Sequence, residues 1–581
     1  MSNEKERRGS GASRSGRIKA KKIPSLADRE RGLIQRRHFK FVRTIFEQSG
    51  FVRLTTLSKK QFRFLDSASD FDDVFLYENI LVICEYTIEV NVSKHIKGKT
   101  TVFGKILDNQ GEFIKFVNEK VDGNEKLNTS DYYPDHYYIA IVYSSYHEVS
   151  QEIKKEFPRF VYLDWNIVRY FTNVADTVHR SARFELLEFL GFRAQQVGQN
   201  SIRSISDNPI NLDVSVLPEG YSNFAEGYKV VSFYAAPITI LERAYVLRRH
   251  GWRSGFTSYQ RMIDKKKICS IRQYLKDVGR VFVNNIVVTL PSDTKFLDNA
   301  GNTLNASEIK KTTSGKLQLP SGFNSIGIID GQHRVFSYYE GGEDEERVAK
   351  LRRKQNLLIT GIVYPPGISD GEKIRFEANL FLEINSTQTN AKSDVKQEVG
   401  LLLRPFELDS IAKRVIISLN DGNGPLADRF ERYFYDKGKI KTTTIVSYGL
   451  KHIIKTSGDD SFFAVWNSPN KLRLLEQDEA VLGEYVQFCV SEMNMFFSAA
   501  KKNIGQERWV LTKGKGTGFL NPTTINALIG CLRRIIRSKL TRNHEYYCEK
   551  LSSIGEFDIS LYKSSQYNDM AEKIFTEYFG I

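Results

Sequence analysis

Residues 325–336 read Ser-Ile-Gly-Ile-Ile-Asp-Gly-Gln-His-Arg-Val-Phe, and they are followed by Tyr338 and Tyr339. An aliphatic run ends at Asp330, and apolar residues then recur with helical spacing from Val335, so the period changes from strand to helix across Gly331. That strand–turn–helix unit predicts an α/β (mixed α+β) fold. Gly331 can take a backbone conformation closed to other residues, Asp330 suits a helix cap, and the free amides of a helix start favour an anion. The same turn holds a carboxylate, an amide, an imidazole and a guanidinium within five residues: Asp330, Gln332, His333 and Arg334. A capped helix with solvated neighbours accounts for these residues without any chemistry.

Further strands are predicted around this unit at Tyr228–Tyr234, Asn285–Leu290 and Leu357–Val363. Helices are predicted over Pro237–His250, around Ile271–Leu275, and from Arg375 to a polar end at Asn385. Residues 228–394 therefore form one domain, and 395–581 read as a mainly helical continuation. Lys513-Gly-Lys-Gly-Thr-Gly518 lacks the glycine and lysine spacing of a phosphate-binding P-loop and reads as a surface loop. Residues 201–227, rich in Ser, Asn and Pro, read as a linker.

Upstream, residues 25–200 carry an amphipathic helix through Leu33, Ile34, Phe39, Val42, Ile45 and Phe46. Four strands follow, at Asp73–Tyr77, Ile80–Thr87, Tyr137–Tyr143 and Phe160–Leu163, and then a helical stretch from Trp165 to Phe192. This is a second α/β domain with a mixed sheet. Asp72 and Asp73 precede one strand and Glu85 lies near the end of the next, a placement that suits Mg²⁺ bound through oxygen ligands. Turn aspartates beside a half-buried glutamate are the plainer reading of the same residues.

The 581 residues carry 84 Lys and Arg against 69 Asp and Glu, a formal charge of +15. Such a bias favours polyanionic partners. Much of it sits in the first 40 residues, whose Gly/Ser-rich start predicts a disordered basic arm over 1–24. The five cysteines form no CxxC pair, so neither a disulfide framework nor a cysteine zinc site is expected. No apolar run approaches a membrane span and no secretory signal is apparent, which predicts a cytoplasmic protein with no membrane partner. Arg533, Arg534 and Arg537 lie on an apolar helix and form a candidate DNA-binding stripe, which reads equally as a solvated helix face.

Asp330-Gly-Gln-His-Arg334 resembles the name-giving motif of the DGQHR family, which includes the DndB proteins of DNA phosphorothioation systems and relatives linked to 7-deazaguanine insertion. Tyr259-Gln260-Arg261, the Phe282–Ile286 block and Phe381–Gln388 resemble that family's other blocks in order. The resemblance implies a core related to the ParB/sulfiredoxin fold and a site that binds, and in several branches hydrolyses, a nucleoside triphosphate such as ATP. It assigns Asp330, His333 and Arg334 to phosphate chemistry. Tyr259, Gln260, Arg261, Gly331, Gln332, Asn385 and Gln388 become nucleotide-binding neighbours. DNA and other proteins of a DNA-modification or phage-defence system are the implied partners. A non-catalytic DNA-binding transcriptional regulator is the second reading that the resemblance implies.

The N-terminal strands resemble the PD-(D/E)xK restriction-endonuclease core, in which a strand-end Asp and a Glu-x-Lys on the next strand hold metal and activate water. Asp72, Asp73 and Glu85 would be its metal ligands, and a metal-dependent DNA nuclease is the third reading. Thr87 stands where that core has lysine, leaving Lys94, Lys97 and Lys99 as substitutes.

Overall fold

The computed structural model describes residues 25–121, 125–201, 210–248, 252–253, 260–320, 322–388, 393–512 and 518–580. The basic arm of residues 1–24 and most of the 513–518 loop lie outside them. The first helix, Leu26–Gln48, starts where Ser25 and Asp28 cap each other reciprocally. His38, Phe39, Val42, Ile45 and Phe46 supply its buried stripe, while its first turns stay exposed.

Seven strands follow: β1 (Val52–Arg53), β2 (Gln61–Phe64), β3 (Ser67–Asp70), β4 (Asp73–Tyr77), β5 (Ile80–Thr87), β6 (Tyr138–Ser145) and β7 (Val161–Asp164). β2 and β3 form a separate hairpin, and the others make one mixed sheet in the order β1-β4-β5-β6-β7. β4 runs antiparallel to both neighbours, whereas β5, β6 and β7 are parallel. Every residue of β5 is buried, because helices cover both faces of the sheet. Ile80, Val82 and Cys84 pack with Leu26–Gln48 and Trp165–Val178, while Leu81 and Ile83 pack with helices Ser93–Asp108 and Gln110–Lys120.

A second, curled sheet of eight strands forms a half-barrel from β8 (Ile210–Val216), β9 (Lys229–Ala235), β10 (Ala244–Tyr245), β11 (Ile286–Leu290), β12 (Lys295–Leu297), β13 (Thr313–Leu319), β14 (Ile326–Asp330) and β15 (Leu357–Val363). The order is β10-β14-β11-β15-β9-β8-β13-β12. Two segments differ from the sequence-based expectation. Ile210–Val216, within the expected linker, is a strand paired to β9 and β13, its Ile/Leu/Val alternation overriding the surrounding turn residues. The helix expected over Pro237–His250 stops at Leu241, and Ala244–Tyr245 pairs parallel with β14 instead.

One apolar core runs from Phe39 in the first helix to Val363 in β15, so the two sheets share their interior. The junction is polar as well as apolar. Arg248, whose side chain is 1% exposed, donates to Glu185 at 2.9 Å and to the Tyr170 hydroxyl at 3.3 Å. Arg183 pairs with Glu340 at 2.9 Å, and the Glu340 amide donates to Ser181 Oγ at 2.9 Å. From Leu408 onward the chain is helical and builds a separate core between Ile411 and Phe579, dominated by helices Glu479–Ile504 and Pro522–Arg537. Among the described residues no helix is long and apolar enough to cross a membrane.

Arg248 is buried and Glu185 largely so; removing one partner of a buried ion pair leaves the other charge uncompensated, at a cost of about 3–5 kcal/mol. Arg248→Ala is therefore expected to shift the unfolding of the two-sheet core to lower urea by that amount, read from far-UV circular dichroism; a change below about 1 kcal/mol would show that the junction does not rest on this pair.

Candidate active site

Strand parity sorts the N-terminal carboxylates. In the β4–β5 ladder Asp73 pairs with Cys84 and Val74 with Ile83. Asp73 thus shares the face of Cys84, under the first helix, where Arg43 Nε reaches it at 2.8 Å and Arg53 Nε at 2.5 Å. Its carboxylate is buried and committed to these two contacts. Asp72 and Glu85 turn to the opposite face. Asp72 Oδ2 accepts the Tyr86 amide at 2.8 Å, which ties it to the strand that carries Glu85.

Lys99 completes the group. Its ammonium donates to Glu85 Oε1 at 3.0 Å, to Asp70 Oδ1 at 2.9 Å and to the Asp70 carbonyl at 2.8 Å. Of the three candidate lysines, Lys94 is exposed and Lys97 pairs with Glu156 at 3.2 Å on the surface. The spacing carried this signal: Ile96, Lys99, Phe103 and Ile106 share one helix face, and the three apolar members are buried against the sheet. Asp70, at the end of β3, and His95, whose Nδ1 lies 3.0 Å from the Tyr143 hydroxyl, were not singled out from sequence. Tyr143 is the β6 register partner of Glu85.

Burial dominates the electrostatics. Glu85 has a side chain only 2% exposed, and burial raises its pKa to about 8, with Lys99 opposing and Asp72 adding to the rise. Asp72 is also raised, by burial, against the Tyr86 amide and Lys99. Burial works against the charge of Lys99, yet Glu85 and Asp70 hold its pKa above the ordinary value. Asp72 thus lies near enough to Glu85 to add to its rise, while Lys99 bonds to Glu85 and both Lys99 and Lys59 oppose the burial of Asp72. Among the described residues no group of three His, Cys, Asp or Glu side chains converges as a ready-made metal cage. The donor set that is present, two hard oxygen ligands whose mutual repulsion a dication would relieve, fits Mg²⁺, which commonly takes one or two carboxylates and keeps several waters.

The turn at Asp330 is built differently. Gly331 has φ +98°, and a Cβ there would lie 2.6 Å from Ile286 Cδ1, so the glycine is required. Arg334 Nη2 donates to Asp330 Oδ2 at 3.0 Å and to the Asn285 carbonyl at 2.8 Å. Gln332, buried, accepts from Arg248 Nε and donates to Gln260 Oε1, each at 3.4 Å, and Gln260 donates to the Ile328 carbonyl. His333 Nε2 accepts the Asp264 amide at 3.3 Å, and burial, then Lys267 and Arg248, lower its pKa to about 4. The imidazole is neutral at physiological pH. The helix that follows, Gln332–Phe336, is only five residues long. Arg261 is exposed, and Asn385 spends its amide on the Phe381 carbonyl at 2.8 Å within its own helix. Tyr259 and the side chain of Gln388 lie outside the described residues. Among the described residues the motif is chiefly a closed polar network, with Arg334 Nε and Arg248 Nη2 left buried without an acceptor.

On the C-terminal stripe Arg533 pairs with Asp460 at 2.5 Å and Arg534 lies 3.9 Å from Glu572, while Arg537 is exposed. No protein-family model, curated protein or solved structure matches this chain.

A carboxyl whose pKa is raised by folding favours the folded state below its unfolded pKa, and this contribution is lost as pH rises toward the folded value. Between about pH 5 and pH 9 the wild-type chain is expected to lose stability on the order of 4 kcal/mol through Glu85, and Glu85→Gln is expected to remove most of that loss. Urea denaturation at both pH values checks it: equal pH dependence in the two chains would contradict the placement of Glu85.

Proposed function

We propose that this chain is a metal-dependent DNA nuclease of a DNA-modification or phage-defence system, with Asp72, Glu85 and Lys99 as its active centre. The carrying observation is the convergence of a strand-end aspartate, a glutamate on the adjacent strand and a lysine supplied from the following helix. The order β1-β4-β5-β6-β7, with β4 antiparallel and helices on both faces, supports a restriction-endonuclease-like domain in which Lys99 takes over from the residue at Thr87. We read the half-barrel that carries the Asp330–Arg334 motif as the ParB/sulfiredoxin-like part of a DGQHR protein, and the motif itself as the link to DNA modification.

Asp72 and Glu85 would hold Mg²⁺, which when bound supplies a Lewis acid and a lowered pKa for water. The protein's own contributions follow from the geometry. Burial raises the proton affinity of Glu85 in the metal-free chain, so Mg²⁺ binding by Asp72 and Glu85 would be coupled to release of that proton. Lys99, held on Asp70 and Glu85, presents an ammonium to the charge that develops on a phosphodiester oxygen. Tyr86 fixes Asp72 through its backbone, so the carboxylate needs no reorganisation.

A second reading, nucleoside triphosphate binding and hydrolysis at Asp330, His333 and Arg334, has one observation in its favour: the two buried guanidinium donors without acceptors, on Arg334 and Arg248. Unchanged ATP, GTP and CTP turnover in Asp330→Ala and Arg334→Ala would remove it.

Plasmid DNA incubated with the full chain and Mg²⁺ is expected to be cleaved, with rates lowered about a hundredfold or more by Asp72→Asn, Glu85→Gln and Lys99→Ala. Lys97→Ala is expected to cleave normally. Cleavage that persists in Glu85→Gln at the wild-type rate would overturn the assignment, and DNA binding with no cleavage under any divalent cation would favour the regulator reading.

A further inference from the structure

The edge of the sheet that carries Glu85 has a second set of residues on its other side. Thr87, Ser145 and Asp164 end β5, β6 and β7 in register, and Trp165 opens the next helix one residue later. Arg169, one turn into that helix, holds its guanidinium 4.6 Å from the ring centre of Phe41, 5.7 Å from that of Trp165 and 5.2 Å from that of Tyr435. The Arg37 guanidinium sits 5.4 Å from the same Phe41 ring. Tyr435 in turn stacks on Tyr433, centres 5.2 Å apart and planes within 6°.

These contacts hold both guanidiniums against rings instead of acids: among the described residues neither arginine forms an ion pair or a hydrogen bond with the protein. Burial and then Arg37 hold the pKa of Arg169 below its ordinary value, which reflects two cations side by side with no acid between them. Like charges this near disfavour each other, and a bound anion would relieve both. A guanidinium held on rings with its N–H donors unused can receive phosphate in a forked, two-bond contact. The exposed side of the first helix continues the same charge through Arg29, Arg36 and Lys40. Two strand spacings, about 10 Å, separate β5 from β7, so a polynucleotide engaged at Glu85 reaches Arg169 over the edge of the sheet.

We infer that Arg37 and Arg169 form a phosphate clamp for the DNA backbone beside the Asp72–Glu85 centre, with Tyr433 and Tyr435 of the C-terminal region as its far wall. This inference rests on the nuclease reading for its substrate, and its test is separable from that reading. Binding of the full chain to a fluorescently labelled DNA duplex is followed by anisotropy in EDTA, where no cleavage occurs. Each of Arg37→Gln and Arg169→Gln is expected to weaken binding about fivefold near 0.15 M salt and to reduce the slope of log K against log salt by about 0.9, with about twice that reduction in the double variant. Arg169→Lys, which keeps the charge, is expected to restore most of the slope, and it serves as the second variant should Arg169→Gln fold poorly. A slope unchanged in both single variants, whatever their melting temperatures, would overturn the clamp and reduce the stack to a structural strut. So would a wild-type chain that binds no DNA in EDTA. A reduced slope in variants of a chain that never cleaves DNA would sink the nuclease reading and leave the clamp standing.

Discussion

Burial of β5 on both faces is the constraint from which the N-terminal half follows. A strand covered by helices on each side has no solvent face to receive polar residues, so a charge placed on it must be answered by a charge from the covering layer. Glu85, on β5 itself, is answered by Lys99 from the helix over one face; Asp73, opening the adjacent β4, is answered on the other face by Arg43 of the first helix and Arg53 of β1. The two solutions differ in kind. Two guanidiniums hold the Asp73 carboxylate, whereas Glu85 meets one ammonium that it shares with Asp70, and burial raises its pKa to about 8. Proximity in sequence conceals this difference between Asp72 and Asp73, and the two-residue period of the strand exposes it.

The second half is organised around a different economy. At the Asp330 turn, side chains that look catalytic when read in a row are turned toward one another and toward the first sheet. Arg334 closes on Asp330 and on the backbone of the loop before β11, and Gln332 passes the network to Arg248, which ends on Glu185 and Tyr170 of the N-terminal helices. Local pairing at four residues' separation satisfies a carboxylate and a guanidinium without a ligand, and a buried arginine that bridges two layers specifies how they dock. Gly331 makes the turn possible because a side chain there would strike Ile286. The motif therefore performs a structural task whatever else it does.

Much of this was legible in the sequence. Asp73–Tyr77, Ile80–Thr87 and Leu357–Val363 are strands with the limits their apolar runs predict, since a fully buried strand leaves a dense signature. Ile210–Val216 was hidden by its half-polar alternation amid turn-forming neighbours, and Ala244–Tyr245 is only two residues of strand imposed by pairing with β14. The carboxylates of the candidate site were found, but not which aspartate or which lysine belonged to it. Those choices depend on strand parity and helix phase relative to a layer whose position is a tertiary fact. Arg248 and Glu185, far apart in sequence and ordinary in type, carried no local signal at all.

Charge distribution ties the halves together. The formal +15 of the chain is concentrated in the first 40 residues, and within the described residues most basic side chains near the sites are neutralised: Arg533 by Asp460, Arg542 by Glu492, Lys99 by Glu85 and Asp70. Arg37 and Arg169 break this pattern, because their neighbours are rings rather than acids. Rings hold a guanidinium in place through its faces and leave its charge uncancelled, so the pair projects a field that ion-paired arginines do not. Tyr435 comes from the C-terminal region and Phe41 from the first helix, so the rings around Arg169 are gathered from two distant parts of the chain. The C-terminal half thereby supplies one wall of the Arg169 environment, which ties the helical region physically to the small sheet domain.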